Sequence, residues 1–383
     1  MGQTFAPANA AELADRIAAA DEPFAVVGRD SKRDFGRPVD AGVTLSLASF
    51  SGIIDYEPEE LIIEAGAATP LAEIESVIAQ RNQQFAFEPL NLSSLFCSPG
   101  GGSLGGLVAC NLSGPRRVKA GAARDHVLGI SCVSGRGDIL RTGSRVVKNV
   151  TGYDLPKLLT GSHGTLAVMT SIVLKVLPRP ETQETVVAEG LDDERAIAAM
   201  SLALQSTADV SATAHMPGDG TFFRLEGIAA SVAYRREALK RLLGGSLAVL
   251  GEADSAAHWL SMRDVSAFAG GSDRPLWRLS VVPSEAPATV ARITARLECR
   301  HVYDWAGGLV WLEVSPTEDA GAAIIRGALA SGHATLVRAS EELRKAVDVF
   351  QPQAPALRAL TARVKAAFDP RGLLNPGRMY RGL

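Results

Sequence analysis

The segment Ser98-Pro99-Gly100-Gly101-Gly102-Ser103-Leu104-Gly105-Gly106 packs five glycines into seven positions, from Gly100 to Gly106. A backbone with so few side-chain walls can adopt positive φ and approach a ligand closely. Leu107-Val108-Ala109-Cys110-Asn111 follows and is helix-compatible. Bare amides at a helix start favour an anion, most often a phosphate or diphosphate. A flexible linker is the plain alternative. Apolar residues flank the loop closely and a second glycine-rich stretch lies downstream at Gly161–Gly164, so the ligand-loop reading is preferred. Gly100, Gly102 and Gly105 also satisfy G-x-G-x-x-G, with Asp125 downstream. The context of a dinucleotide βαβ unit is missing. Leu92–Pro99 is serine-rich and a poor strand, and Gly114-Pro115 stops the following helix early.

The chain has 383 residues, 46% of them hydrophobic, enough for a large core and two domains. A net charge of -3 gives no electrostatic case for nucleic acid, and Arg116-Arg117-Lys119 is too short a basic cluster to make one. No apolar run is long enough for a transmembrane helix. Met1 to Asp21 reads as an amphipathic helix, since a charge-free signal-type stretch is missing. Cys97, Cys110, Cys132 and Cys299 show neither C-x-x-C spacing nor a disulfide framework. A cytoplasmic protein is expected, with no metal site, and any iron–sulfur cluster must come from a partner.

Strands are expected at Pro23–Gly28, Val43–Leu47, Leu61–Ala65, Val127–Val133, Ile139–Thr142 and Thr165–Val176, with a helix from Thr69 to about Asn82. Strands dominate this half, so it is α+β and not doubly wound. Pro178-Arg179-Pro180 marks a boundary. Beyond it, strands near 185–188, 222–225, 276–282 and 309–314 alternate with helices at 193–205, 231–243, 286–297 and 319–329. That pattern suggests an antiparallel sheet covered on one side by helices. A last helix, from Leu357, ends in a proline-glycine tail.

Two further motifs carry chemistry. Arg145–Leu155 supplies cations and a tight turn, and Leu158–Leu166 supplies small residues before a strand. The tail Phe368-Asp369-Pro370-Arg371-Gly372-Leu373-Leu374-Asn375-Pro376-Gly377-Arg378-Met379 has the composition of turns, but turns alone do not explain this series of side chains.

The order of these motifs resembles the FAD-linked oxidases of the vanillyl-alcohol-oxidase type, over nearly the whole chain. Within them it is most similar to the FAD-binding subunits of glycolate oxidase. The strings that carry the likeness are Gly114-Pro115-Arg116-Arg117, Lys148-Asn149-Val150-Thr151-Gly152-Tyr153-Asp154-Leu155 and Asn375-Pro376-Gly377-Arg378-Met379-Tyr380. The resemblance implies a two-lobed PCMH-type FAD-binding domain at 1–178, an antiparallel-sheet cap domain at 179–340, and a segment at 341–383 returning to the FAD domain. It implies that Gly28, Arg29, Asp30, Ser31 and Lys32 form the first diphosphate loop. Ser98, Pro99, Gly101, Gly102, Ser103, Gly105, Gly106 and Leu107, with Asn111, Ser113 and Gly114, would hold the second side of the diphosphate and the flavin edge. Gly161, Gly164 and Thr165 would meet the adenosine half, and Asn375 would lie near the isoalloxazine.

No flavin-attaching His or Cys lies in residues 28–36, so non-covalent FAD is expected, with Cys97 and Cys110 leaving attachment open. Gly161-Ser162-His163-Gly164-Thr165-Leu166 stands where catalytic relatives have Gly-Ser-Glu-Gly-Thr-Leu, and the paired-histidine cap motif is missing. A reduced flavin needs a cation near N1–C2=O, for which Arg378, Lys148 and Arg145 are candidates. Arg278 and His333 are the cap candidates for catalysis. A salt-bridged strand arginine and a satisfied loop histidine are their ordinary, preferred readings.

The leading expectation is the FAD-binding subunit of a multi-subunit glycolate or 2-hydroxy-acid dehydrogenase. It would work with a second flavoprotein subunit and an iron–sulfur subunit, peripheral to the inner membrane through them. A self-sufficient flavin oxidase and a non-catalytic flavin-binding subunit are the alternatives.

Overall fold

The computed structural model describes residues 3–98, 100–144 and 153–383. The chain divides into two compact units. The first comprises Met1–Leu112, Ala122–Pro178 and Pro352–Leu383; the second comprises Ser113–Gly121 and Arg179–Gln351. Among the described residues, no helix is long and apolar enough to cross a membrane.

The first unit has two lobes, each built on its own sheet. A parallel three-stranded sheet has Val43–Ser46 between Gln3–Phe5 and Phe24–Val27. The expected helix over residues 1–21 is shorter, running from Ala10 to Ala18. The Asn9 side chain accepts from the amides of Ala11 and Glu12 and starts the helix there. Gln3–Phe5, released from helix, pairs as a strand. Leu13 and Ile17 stand four residues apart on one helix face and pack into a core with Phe24 and Leu45. The second sheet has five antiparallel strands in the order Ile53–Glu57, Ile62–Gly66, Ala167–Lys175, Val127–Ser134, Ile139–Gly143. Ala167–Lys175 is central and buried almost throughout, and it is apolar on both faces apart from Thr170, Ser171 and the terminal Lys175.

The second unit is an eight-stranded antiparallel sheet. Its order is Leu247–Leu250, Thr182–Ala188, Gly220–Gly227, Ala212–Met216, Cys299–Asp304, Leu309–Val314, Leu276–Ser280, His333–Arg338. Alternation sends Trp277, Leu279, Val310, Leu312 and Leu336 into one core with the apolar faces of helices Asp193–Gln205, Ala229–Leu243, Ala286–Thr294 and Ala322–Ala328. The opposite face is not bare. Helix Glu252–Arg263 packs there, its Trp259 indole donating to Thr185 Oγ1 at 2.8 Å. Segment Ser113–Gly121 also joins it, with Arg116 bonded to Glu226 at 2.6 and 3.0 Å. The architecture is thus α+β, a unit with two main sheets plus an antiparallel-sheet unit.

One pin fixes the first helix of the second unit to its sheet. Asp193, in the helix's first turn, is bonded to Tyr303 Oη at 2.7 Å and His301 Nε2 at 2.9 Å, with His215 Nε2 at 3.4 Å. Burial opposes ionisation of this carboxyl, but the bonds from His215, His301 and Tyr303 outweigh it and hold it well below the usual range. A depressed folded-state pKa contributes stability above the unfolded value of about 4 and loses it as pH falls further. Asp193→Asn should therefore lower the melting temperature at neutral pH, and the gap to the parent should narrow below about pH 4. Melting curves across that range check it; a pH-independent gap counts against the pin.

Candidate functional site

The strand Phe24–Val27 runs straight into Gly28, and the C-terminal tail lies beside it. The Phe24 amide donates to Leu373 O at 2.7 Å, and the Asn375 amide donates to Phe24 O at 3.0 Å. Asn375 has φ of 43°, in the left-handed region that asparagine tolerates. Its side chain ties distant segments together. Oδ1 accepts from the Val26 amide at 2.8 Å, and Nδ2 donates to His163 O at 3.0 Å. Gly164 must lack a side chain here, because a Cβ would stand 2.8 Å from Asn375 Nδ2 at a φ of 69°.

The glycine-rich segment closes the other side. Ser93–Phe96 is a short helix rather than a strand, and Ser103 caps the next helix, Leu104–Cys110, through Gly106 N at 3.3 Å. The amides at this helix start are not bare. Leu104 donates to Thr69 O at 3.0 Å and Gly105 to Ala67 O at 2.7 Å. Glycine serves close packing instead, since a Cβ on Gly105 would sit 2.9 Å from Ala67 O. Positive φ is found at Gly100, whereas Gly102 and Gly106 do not adopt it. The turn after Leu159 hooks onto the far end of the same helix, with Gly161 N bonded to Val108 O and His163 N to Ala109 O.

These pieces enclose a pocket in the first unit. Gly28, Ser103, Gly105, Gly106, Gly164 and Asn375 line it, all expected from sequence. His163, noted in sequence only as the residue standing where relatives carry Glu, lines it too, as do Val26, Leu47, Ala67, Ala109, Ala167 and Met169, none of which was expected at the site. The signal of these last six is only small or apolar character at strand and helix ends, which marks a core position equally well. Lys32 stands close by: a Cβ on Gly102 would fall 2.4 Å from its Nζ. Burial pulls the Lys32 pKa below its ordinary value, and among the described residues no carboxylate pairs with it. Burial pushes the Cys110 thiol up, with Lys32 and Arg378 opposing, and Cys110 Sγ lies 3.8 Å from His163 Nδ1. His163 is held down to about 3 by burial and by Arg378, so it is neutral.

Other expected residues stand elsewhere. Ser31 is buried next to Gly102, Arg29 reaches toward Gly100, and Asp30 pairs with Arg33. Ser98 Oγ lies 3.5 Å from Ser31 O, while Gly101 has open space around it. Leu107 is fully buried, and Asn111 accepts from the Arg124 amide. Thr165 turns its hydroxyl onto Ser162 O at 2.7 Å. Arg378 donates to the carbonyls of Lys32, Arg33 and Arg37 at 2.6, 3.0 and 3.2 Å, so it braces the first loop. Ser113 and Gly114 belong to the second unit, as do Arg278 and His333. Pro99, Arg145 and Lys148 lie outside the described residues.

Sequence reasoning recognised the tail but not its anchor. Asp369 is 1% exposed and accepts from Leu373 N at 3.0 Å, Leu374 N at 2.8 Å and Lys365 Nζ at 2.7 Å. The same Lys365 ammonium donates to Thr165 O and Leu374 O. This knot positions the residue next in chain, Asn375.

Comparison with known proteins agrees with the geometry. Residues 2–143 match a family profile described as FAD binding domain. The chain is 35% identical to glycolate oxidase subunit GlcE of Escherichia coli (strain K12), over 94% of this chain and 93% of that protein. It is also 35% identical to glycolate oxidase subunit GlcD of Bacillus subtilis (strain 168), over 39% of this chain and 31% of that one. The solved structure of p-cresol methylhydroxylase superimposes with a TM-score of 0.73 at 14% identity, covering 99% of this chain and 88% of that chain. At such identity that likeness shows the fold alone. With a match along almost its full length and an FAD-domain architecture, the chain belongs to the FAD-linked oxidoreductase family of the glycolate oxidase subunit GlcE, with FAD as its cofactor.

Proposed function

We propose that this chain is the FAD-binding subunit of a multi-subunit glycolate or 2-hydroxy-acid dehydrogenase, and that the pocket around Asn375 holds the flavin dinucleotide. The observation that carries the reading is Asn375 itself. One side chain joins the strand Phe24–Val27, the tail and the His163–Gly164 turn around a wall made largely of glycine and alanine. Such a wall suits a large planar group with a diphosphate. Lys32, a desolvated cation without a carboxylate partner, suits the diphosphate charge. Bound FAD would supply the two-electron acceptor for a hydroxy-acid carbon.

The residues of this chain bind and orient. Ser103 and the glycines set the distance of closest approach, and Arg378 braces the first loop by donating to the Lys32 carbonyl. Neutral His163 fills space without adding charge. Attachment through Cys110 is disfavoured by its raised thiol pKa, since the thiolate is the nucleophile. The four cysteines have no cluster-type spacing, so a one-electron relay to an iron–sulfur subunit belongs to a partner. The two relatives named above, both glycolate oxidase subunits, support a complex.

Purified protein is expected to be yellow and to release all its colour on acid precipitation. A colourless protein that takes up no added FAD overturns the reading, and a yellow pellet overturns non-covalent binding. Glycolate should bleach the flavin rapidly once the partner subunits are present and slowly without them. Equal bleaching by the isolated chain favours a self-sufficient oxidase. Gly102→Val should displace Lys32 and weaken FAD retention about tenfold or more, as loss of a charge-assisted contact would. Equilibrium dialysis against free FAD measures it.

A further inference from the structure

The helix Pro355–Phe368, in the first unit, is held almost wholly by polar ties. Proline opens it, where a missing amide is no loss, and Ala354 before it offers no side-chain cap. Among its fourteen residues only Lys365 is buried. That ammonium fastens the helix through Asp369, Thr165 O and Leu374 O. Arg358 donates to Arg381 O at 2.6 Å, and Gln353 Nε2 donates to Thr361 Oγ1 at 3.0 Å. Arg136 closes the far end by donating to Ala367 O at 3.0 Å. A helix in a folded protein ordinarily gains most of its stability by burying an apolar stripe. This one has the stripe and leaves it in water.

Leu357, Leu360, Val364 and Ala367 follow at helical spacing and lie along one side. Leu357 is 51% and Leu360 47% exposed. Ala356 and Ala367 are exposed beside them, and Val364 is only half-buried. Every residue from Pro355 to Leu360 is exposed, so the start of the helix is solvated nearly all round. The charge around the stripe has one sign. Pro352–Leu383 carries six cations and a single acid, Asp369, in a chain whose net charge is -3. Asp369 is already paired with Lys365. Arg358 and Arg363 flank the stripe on either side, and among the described residues neither forms an ion pair.

We propose that this face of Pro355–Phe368 is the surface on which a partner subunit docks, one that presents an apolar patch rimmed by carboxylates. Leucines at the centre and arginines at the edge have the composition of a protein interface, where apolar anchors supply affinity and charge supplies orientation. An anionic lipid surface would attract the arginines too, but a helix built to lie in a membrane interface carries bulky aromatic and leucine residues along its apolar side. Here two leucines share the stripe with a valine and two alanines. The proposal rests on the multi-subunit reading above. It has a consequence for the pocket, because Lys365 joins the helix to Leu374 O, one residue before Asn375. A partner clamping the helix therefore steadies the flavin site as well.

The test compares three FAD-loaded chains, each co-expressed with the second flavoprotein subunit and the iron–sulfur subunit. They are the parent, the pair Leu357→Gln with Leu360→Gln, and Arg363→Glu. These positions are exposed, and glutamine and glutamate keep helix propensity, so far-ultraviolet dichroism and flavin content of the isolated chains should be unchanged. Size-exclusion chromatography and titration with the partner subunits read assembly. The leucine pair should weaken it at least about tenfold and Arg363→Glu about threefold or more, and the parent's affinity should fall as salt rises. The parent should also lose FAD on dilution more slowly in the complex than alone. Parent-like assembly by both variants overturns the proposal and leaves the multi-subunit reading standing. A parent that assembles with neither subunit overturns both. If the leucine pair assembles normally but no longer binds phosphatidylglycerol vesicles, or no longer forms a homodimer that the parent forms, the face belongs to lipid or to a second copy, and the proposal falls.

Discussion

Asp369→Ala is expected to cost the first unit about 3–5 kcal/mol, because it leaves the Lys365 ammonium buried without its counter-charge. It also strips the acceptor from the amides of Leu373 and Leu374. The tail would then no longer deliver Asn375 to Val26 and His163, and FAD should be lost with the stability. Asp369→Asn keeps an acceptor but not the charge and should fall between. Denaturant unfolding followed by flavin release measures both effects. An unchanged midpoint with full flavin content would show that the knot does not govern the pocket.

Gly105→Val is the second large effect. A Cβ there would lie 2.9 Å from Ala67 O and 3.0 Å from Ala67 Cβ, while the Gly105 amide is bonded to that same carbonyl. Neither side is a flexible side-chain end that can swing away. Overpacking of this kind costs about 1–3 kcal/mol and should push the helix Leu104–Cys110 off its seat. Flavin content is expected to drop to near zero while the second unit still melts as before. Gly101→Ala, where nothing stands within 4 Å, is the matched control and should retain flavin. Equal flavin in both variants would remove the close-packing argument.

The strands and helices that were legible in the sequence share a property: each declares itself within its own length. Thr165–Val176 does so by a long run of β-prone residues, and Asp193–Gln205 by an acidic cap and a helical period. Ala212–Met216 and Cys299–Asp304 escaped notice because their polar residues are satisfied in three dimensions, His215 by Thr221 and His301 by Asp193. The helix Glu252–Arg263 escaped because its buried side is narrow. At the pocket, glycines and the tail asparagine were visible, since turn chemistry demands particular residues. The internal use of the Leu104 and Gly105 amides was not, because the partner carbonyls at Ala67 and Thr69 belong to another segment. Arg278 was noticed, but its place over the Trp305 ring, with no ion pair of its own among the described residues, is a fact about neighbours that no local pattern carries.

The parallel bridge between Phe24 and Leu374 also sets a timetable. A chain leaving the ribosome makes Phe24–Val27 long before the partner segment at Leu374 and Asn375, since the hydrogen bond from Val26 to Asn375 spans 349 residues. The first unit's remaining strands and the whole second unit are synthesised in between. The nascent chain therefore carries an unfinished seam beside Phe24–Val27 until Leu374 and Asn375 have emerged, a slow, long-range closure. The pocket that Asn375 lines is complete only once that seam has closed.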